Sequence, residues 1–309
     1  MNSFLEASAR QRITAIVDNF EELLLPSKEW TSPHLPLLNA PVSFDDGVVI
    51  GQGYLNGKLV FAAAQEGGFM GGAVGEVHGA KLVGLMRRAI AQKEENRPVA
   101  LLLLAESGGV RLHEANAGLI AVSEVMRALL SVRAAGIPVI VLIGGSNGCF
   151  GGMGIIARFA NWVVMSEEAR LAMSGPEVIE TANGVEEFDS RDRSLVWRTT
   201  GGKHRYLMGD CDMLVADDID AFREAAEQAV QRCSMQGAAL TVEDLEREHI
   251  MLSDRLTSYG QLHDPLEIWS LMGVSDPLQL ALLEADAFLA LAATLPHKTS
   301  AEHLRQEAL

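Results

Sequence analysis

The chain has 309 residues, 48% of them hydrophobic, enough to bury a sizeable core in one large domain or in a domain with helical appendages. Its formal net charge of −16 and pI near 4.9 argue against general binding to nucleic acid or to an anionic membrane, since both need a positive surface. Cys149, Cys211 and Cys233 are too scattered for a disulfide framework or a Cys-x-x-Cys zinc site, no apolar run approaches the roughly 20 residues that span a bilayer, and Glu6 and Asp18 sit where a signal peptide is apolar, so a cytoplasmic protein with no metal site is expected.

Ser3 and Glu6 have capping-box spacing ahead of Leu5, Ala9, Ile13, Ile16, Val17 and Phe20, which predicts an opening amphipathic helix. Pro26, Pro33, Pro36 and Pro41 then break the pattern and predict a loop. Val48 to Tyr54 and Lys58 to Ala64 read as strands joined by a tight hairpin turn at Asn56-Gly57. Six glycines between 67 and 79 lead into a helix with Leu82, Leu85, Met86, Ala89 and Ile90 on one face. Val99 to Ala105 is a strand that empties into Glu106-Ser107-Gly108-Gly109-Val110-Arg111, followed by a helix carrying Leu119, Val122, Val125, Met126, Leu129 and Leu130. Val139 to Ile143 repeats the arrangement as a strand buried on both faces. Its turn holds Gly144, Gly145, Gly148, Gly151 and Gly152, and a short helix starts at about Gly154.

Trp162 to Met165 reads as a further strand, and Gly175-Pro176 opens a helix with proline in its first turn. Residues 184–205 are the most charged and least periodic part of the core. Arg191, Arg193, Arg198, Lys203, His204 and Arg205 make them either a dock for a phosphate-bearing ligand or a solvated loop. Met213 to Ala216 is a strand, Asp218 to Arg232 a helix, and Thr241 with Asp244 opens another. The alternation predicts an α/β domain over residues 1–236 with its strand ends on one rim, then an acidic helical extension over 237–309. In that extension Leu278, Leu282, Ala285 and Leu289 form an apolar stripe that needs covering.

The glycine turn after 143 admits three chemical readings. Gly144-x-Ser146-x-Gly148 matches the elbow of a serine hydrolase, with Asp189 and His204 or His263 as partners, yet that elbow needs a helix beginning almost at the serine. Gly152-Met153-Gly154-Ile155-Ile156-Ala157 matches a dinucleotide fingerprint with Glu167 as the ribose acid, but Gly152 lies too far beyond Ile143. The third reading pairs the two glycine turns as an oxyanion hole for a thioester enolate. Main-chain N–H groups in such turns point outward without Cβ interference.

ESGGVRLHEA, FMGGAVGEVHGAKL, SGPEVIE, and ARQRITAIVD followed by FEELL resemble, in order and spacing, the acyl-CoA-binding half of the carboxyltransferases of biotin-dependent carboxylases, over about residues 9–235. Within that group GVRLHEAN, GCFGGMGI, GVEEFDSRDR and TGGKHR resemble the beta subunits of biotin-independent malonate decarboxylases. The resemblance implies a crotonase-like spiral of strand-strand-helix units and a malonyl thioester presented on an acyl carrier protein. The carrier (delta subunit) bears a phosphoribosyl-dephospho-CoA arm loaded by an alpha-subunit transferase. A gamma subunit forms the other half of the active site, and no biotin takes part.

Departures from the wider family are His113, where a glutamine is common, and the lack of a four-cysteine zinc ribbon. On this reading the backbone of Gly109, Val110, Gly151 and Gly152 holds the enolate oxygen. Phe69, Gly71 and Gly72 line the substrate site with Met70 and Phe150; Arg111, Lys203 and Arg205 hold arm phosphates; His78 or His113 returns the proton. A carboxyltransferase of a biotin-dependent (de)carboxylase and a non-catalytic carrier-binding scaffold are the remaining alternatives.

Overall fold

The runs of β-branched and aliphatic residues become strands of one seven-stranded sheet in the computed structural model, which describes residues 2–28 and 30–295. α1 (Ala9–Ile16) and β1 (Asp18–Leu23) precede the hairpin of β2 (Val48–Leu55) and β3 (Lys58–Gln65). α2 (Glu76–Ile90) leads to β4 (Ala100–Ala105), α3 (Ala117–Ala134) to β5 (Val139–Ile143), and α4 (Gly151–Arg158) to β6 (Trp162–Ser166). α5 (Pro176–Asn183), α6 (Arg193–Thr200) and α7 (Gly202–Leu207) separate β6 from β7 (Met213–Val215). Then follow α8 (Ile219–Gln236), α9 (Val242–Tyr259), α10 (Pro265–Leu271), α11 (Pro277–Leu282) and α12 (Ala285–Ala292).

The strands lie side by side in sequence order, β1 to β3 antiparallel and β3 to β7 parallel. Strand alternation divides the core. Phe61, Leu101, Leu103 and Val141 face α2, α3 and α4, while Val60, Leu102, Leu104 and Ile140 face α1 and α8. Beyond the carboxyl ends of the parallel strands the chain pairs again through single bridges at Val74–Val110, Ser107–Cys149, Cys149–Leu171 and Arg170–Gly201. These bridges are the short second strands of the expected strand-strand-helix units, and they draw the glycine turns together on one rim.

Several local expectations change. The opening helix is capped by Ser8 with Gln11, not by Ser3 with Glu6; Ser3 Oγ instead accepts from Glu6 N–H in a turn and donates to Asp217. Phe20 leaves that helix for β1, an edge strand in an acidic sequence, DNFEEL, that gave no strand signal. α4 starts at Gly151, three residues earlier than expected. The basic stretch 184–205 contains two helices, α6 and α7.

The stripe of Leu278, Leu282, Ala285 and Leu289 is split between α11 and α12. Ala285 is buried and Leu289 packs on the core, while Leu278 and Leu282 are exposed. Trp269, Met272, Leu280 and Phe288 join the same apolar cluster as β4 and β5, so these helices pack directly on the α/β core. Residues 296–309 of the expected extension lie outside the described residues.

His204 on α7 is buried, and its Nδ1 accepts a hydrogen bond from Trp269 Nε1–H of α10 at 3.2 Å. Burial, then the charge of Arg205, push its pKa down to about 3. The unfolded chain therefore binds a proton near pH 6.5 that the folded chain refuses, so stability is complete above about pH 6.5 and falls as pH drops toward 3. Each such histidine contributes up to about 1.4 kcal/mol per pH unit in that window. Thermal melting between pH 7.5 and 5 is expected to show this slope, and His204→Gln, which keeps an acceptor for Trp269, to flatten it.

Candidate active site

The strand ends β4 and β5 are joined by one carboxylate. Glu106, 3% exposed, ion-pairs with Arg12 of α1 and accepts from Asn147 N–H at 3.1 Å, Asn147 Nδ2 at 3.2 Å and Ser146 Oγ at 3.3 Å. It reaches the second turn only because Gly145 has no Cβ; a methyl there would run into the Glu106 carboxyl. A buried, fully partnered charge of this kind fixes position rather than adding much stability. Its consequence is a set distance between the two glycine turns.

Those turns touch. A Cβ built on Gly151 would lie 2.9 Å from Gly109 Cα and 3.9 Å from the Val110 nitrogen, and Gly151 at φ +60° and Gly109 at φ +137° adopt backbone that other residues rarely enter. Their hydrogen bonds sort the four predicted donors. Gly151 N–H donates to Met173 O at 2.9 Å and Gly109 N–H to Ser107 Oγ at 3.2 Å. Val74 bonds on either side of Val110, giving its N–H to Gly109 O and accepting from Arg111 N–H, so Val110 N–H takes no backbone partner among the described residues. Gly152 N–H lies in the first turn of α4, where no intrahelical acceptor exists. Val110 and Gly152 thus keep N–H groups without a backbone acceptor among the described residues, the second of them at the positive end of α4.

Behind this site runs a hydrogen-bonded rail. Glu106 N–H donates to Gln65 Oε1 at 3.2 Å, which turns the Gln65 amide NH2 toward His78 Nε2 at 3.0 Å. That ring nitrogen must accept, so the proton sits on Nδ1 and is given to Asp46 O at 3.1 Å. Burial, then Arg111, hold the His78 pKa down at about 3. His78 is therefore neutral, with its single N–H already used. This corrects the expectation that it reprotonates an enolate.

Arg111 is corrected in the same way. It is 1% exposed, and its Nη1 bonds both Asp46 carboxylate oxygens at 2.9 Å and Glu114 at 3.1 Å. Its guanidinium stands over the Phe69 ring at 5.4 Å. Charge and ring together hold the loop before α2 against the turn of Val110, so Arg111 and Phe69 support the site from behind. Gly71 O accepts from Gly108 N–H at 2.8 Å, and Gly72 packs on the Glu106 carbonyl, so both lie against the first turn. Met70 opens the same short helical turn, and Phe150, 3% exposed, is the N-cap of α4. His113 is exposed three residues beyond Val110.

Lys203 and Arg205 do not reach this rim. Lys203 Nζ bonds Ala281 O at 2.9 Å and stands 3.9 Å from Glu167, while Arg205 pairs with Asp210 at 3.0 Å. Their charges fasten α7 to its neighbours, so the expectation that they hold phosphates is withdrawn. Ser146 has Glu106 as its side-chain partner, His204 lies under Trp269, and His263 is on the turn before α10; no serine–histidine pair forms among them. Sequence reasoning passed over Arg12, Gln65 and Glu106. Only Glu106, the residue that follows a buried strand and opens a glycine turn, carried a local signal.

A sheet whose strands follow sequence order, parallel from β3 to β7, with its second strands bridged over one rim defines a crotonase-like α/β protein. The chain belongs to the carboxyl transferase domain family, which it matches over residues 9–233. It is 43% identical to malonyl-S-ACP:biotin-protein carboxyltransferase MADC of Malonomonas rubra, over 95% of this chain and 96% of that protein. Its structure is similar to a Pseudomonas malonate decarboxylase hetero-tetramer in complex with malonate, with a TM-score of 0.77 and 39% identity over 85% of this chain and 94% of the other. It is also similar to a Pseudomonas malonate decarboxylase MdcD-MdcE hetero-dimer, with a TM-score of 0.65 and 36% identity over 83% and 97%. No helix among the described residues is long and apolar enough to cross a membrane.

Removing Arg12 leaves Glu106 buried and unpaired, so Arg12→Met is expected to cost about 3 to 5 kcal/mol in urea unfolding. Adding Glu106→Gln removes the stranded charge while keeping its shape. The double variant is expected to recover part of the loss, a coupling read directly from the mutant cycle.

Proposed function

We propose that this chain is the beta-type subunit of a malonate decarboxylase, converting a malonyl thioester to an acetyl thioester and CO2. The observation that carries the reading is the contact of the Gly109–Val110 and Gly151–Gly152 turns, in which the N–H groups of Val110 and Gly152 have no backbone acceptor among the described residues. Breaking the bond from the α-carbon to the carboxylate releases neutral CO2 and leaves its electron pair in an enolate. Donors fixed at the thioester oxygen stabilise that charge only as it develops, which lowers the barrier. Val110 and Gly152 supply the N–H groups, and Gly109 and Gly151 allow the close approach. Phe150 and Met70 form the apolar wall that keeps water from the departing carboxylate. Exposed His113, or water, returns a proton to the α-carbon.

The substrate is carried on an acyl carrier protein through a phosphoribosyl-dephospho-CoA arm, loaded by an alpha-type transferase. A gamma-type subunit completes the site, and the pair is a carbon–carbon lyase acting in the cytoplasm without biotin. The likeness to decarboxylase complexes solved with more than one subunit supports the need for a partner. A second reading, transfer of the carboxyl group to biotin, is favoured by the 43% identity to the Malonomonas protein. Both share the enolate and differ in the fate of CO2.

Gly151→Ala forces a methyl between the two turns and is expected to lower kcat by about 10²- to 10³-fold, the effect of losing one oxyanion donor, with little change in KM. Activity retained in a variant that melts like the parent contradicts the assignment. In the reconstituted complex, CO2 release from malonyl thioester is expected to proceed with avidin present. Avidin-sensitive turnover transfers the reading to biotin carboxylation.

A further inference from the structure

With Lys203, Arg205 and Arg198 engaged inside the protein, the basic stretch still presents Arg193, and it meets a second arginine from outside the stretch. Arg193 is exposed at the start of α6, with its guanidinium 5.2 Å from the centre of the Trp197 ring. Arg170 approaches the same ring at 4.7 Å and the Phe150 ring at 5.7 Å. It is anchored to the second glycine turn, donating from Nη2 to Ser146 O and accepting Cys149 N–H on its carbonyl at 2.8 Å. Among the described residues neither guanidinium forms an ion pair, although Glu177 and Glu106 attract Arg170 from further away. Partial burial lowers the Arg170 pKa against the pull of Glu177, and Arg193 lowers it further.

Glu177 offsets the repulsion between these two like charges from a distance, and neither guanidinium is closed off by an ion pair, so an anion can still sit between them. A guanidinium packed against a ring points the N–H donors of its edge away from that ring; Arg170 gives one, from Nη2, to Ser146 O, and the others, with those of Arg193, suit phosphate oxygens. We propose that Arg170 and Arg193, held by Trp197, bind the phosphoanhydride of the nucleotide-type arm that carries the thioester. The proposal rests on the reading that a thioester is presented at the neighbouring turn, which Phe150 and Ser146 connect to Arg170. Its ligand chemistry is a diphosphate, whether the arm is free coenzyme or attached to a carrier.

Titration of the full chain with dephospho-CoA and with pantetheine, which lacks the diphosphate, tests the site without relying on decarboxylation. The wild type is expected to prefer dephospho-CoA by about tenfold or more, as two charge-assisted contacts require, and added salt to erode that preference. Arg170→Gln with Arg193→Gln is expected to bring the ratio near unity. Arg193→Gln alone, exposed and remote from the turn's backbone, is expected to lose a part of it in a chain that folds normally. Lys203→Gln, whose charge is used internally, is expected to keep the ratio. A preference that survives the double substitution, or a wild type with no preference, overturns the proposal. Repeating the titration with the arm attached to its carrier assigns the contact to the carrier-borne form if the same substitutions weaken it.

Discussion

The site depends on a carboxylate that does no chemistry. Glu106 joins the ends of β4 and β5 by accepting from Asn147 and Ser146 on one side and Arg12 on the other. Its own N–H continues through Gln65 and His78 to Asp46, whose carboxylate holds Arg111. One connected rail therefore sets the backbone of both glycine turns. Donors held this way need no reorganisation as charge develops on a bound oxygen, and this makes backbone N–H groups effective catalysts in a dry cleft. Apart from the buried Nε of Arg111, the polar groups of the rail are partnered, so the network specifies one arrangement instead of several.

The charges of residues 184–205 serve mainly the packing of the C-terminal helices. Arg198 pairs with Asp264 at 2.9 Å, and Lys203 bonds a carbonyl of α11. Asp210 lies among Arg158, Arg205 and Arg255, the last from α9, and these cations, against the cost of burial, hold its carboxyl below the usual range. Charged residues in the core sequence thus mark where a later part of the chain is fastened. Among the described residues they leave Arg191 and Arg193 without an ion pair, and Arg193 stands beside Arg170 on the Trp197 ring.

Much of this was legible where structure follows from short-range pattern. The hairpin at Asn56-Gly57, the apolar strands β4 and β5 and the turns at Gly109 and Gly151 are each dictated by neighbouring residues. β1 was hidden because its sequence is acidic and its partner strand makes room for it; Gly51 and Gly53 lie where Phe20 and Val17 pack. Two glycines on one face of a strand are the signal that something crosses over it. The roles of Arg111 and His78 were misread for a different reason. A histidine or arginine next to a glycine motif suggests chemistry, yet burial and partners as distant in sequence as Asp46 decide whether its proton or charge is available. The Arg12–Glu106 pair spans 94 positions, which no local pattern encodes.

Enolate stabilisation by this chain is tested most directly by the reverse of its last step. By microscopic reversibility, an enzyme that protonates the enolate to form acetyl thioester also forms it from acetyl thioester. Incubating the assembled enzyme with acetyl thioester in deuterium oxide and following the methyl group by mass spectrometry measures enolate formation apart from CO2 release. Enzyme-dependent exchange well above the buffer rate is the predicted result. Methyl protons that stay in place under conditions where malonyl thioester is decarboxylated would contradict the account.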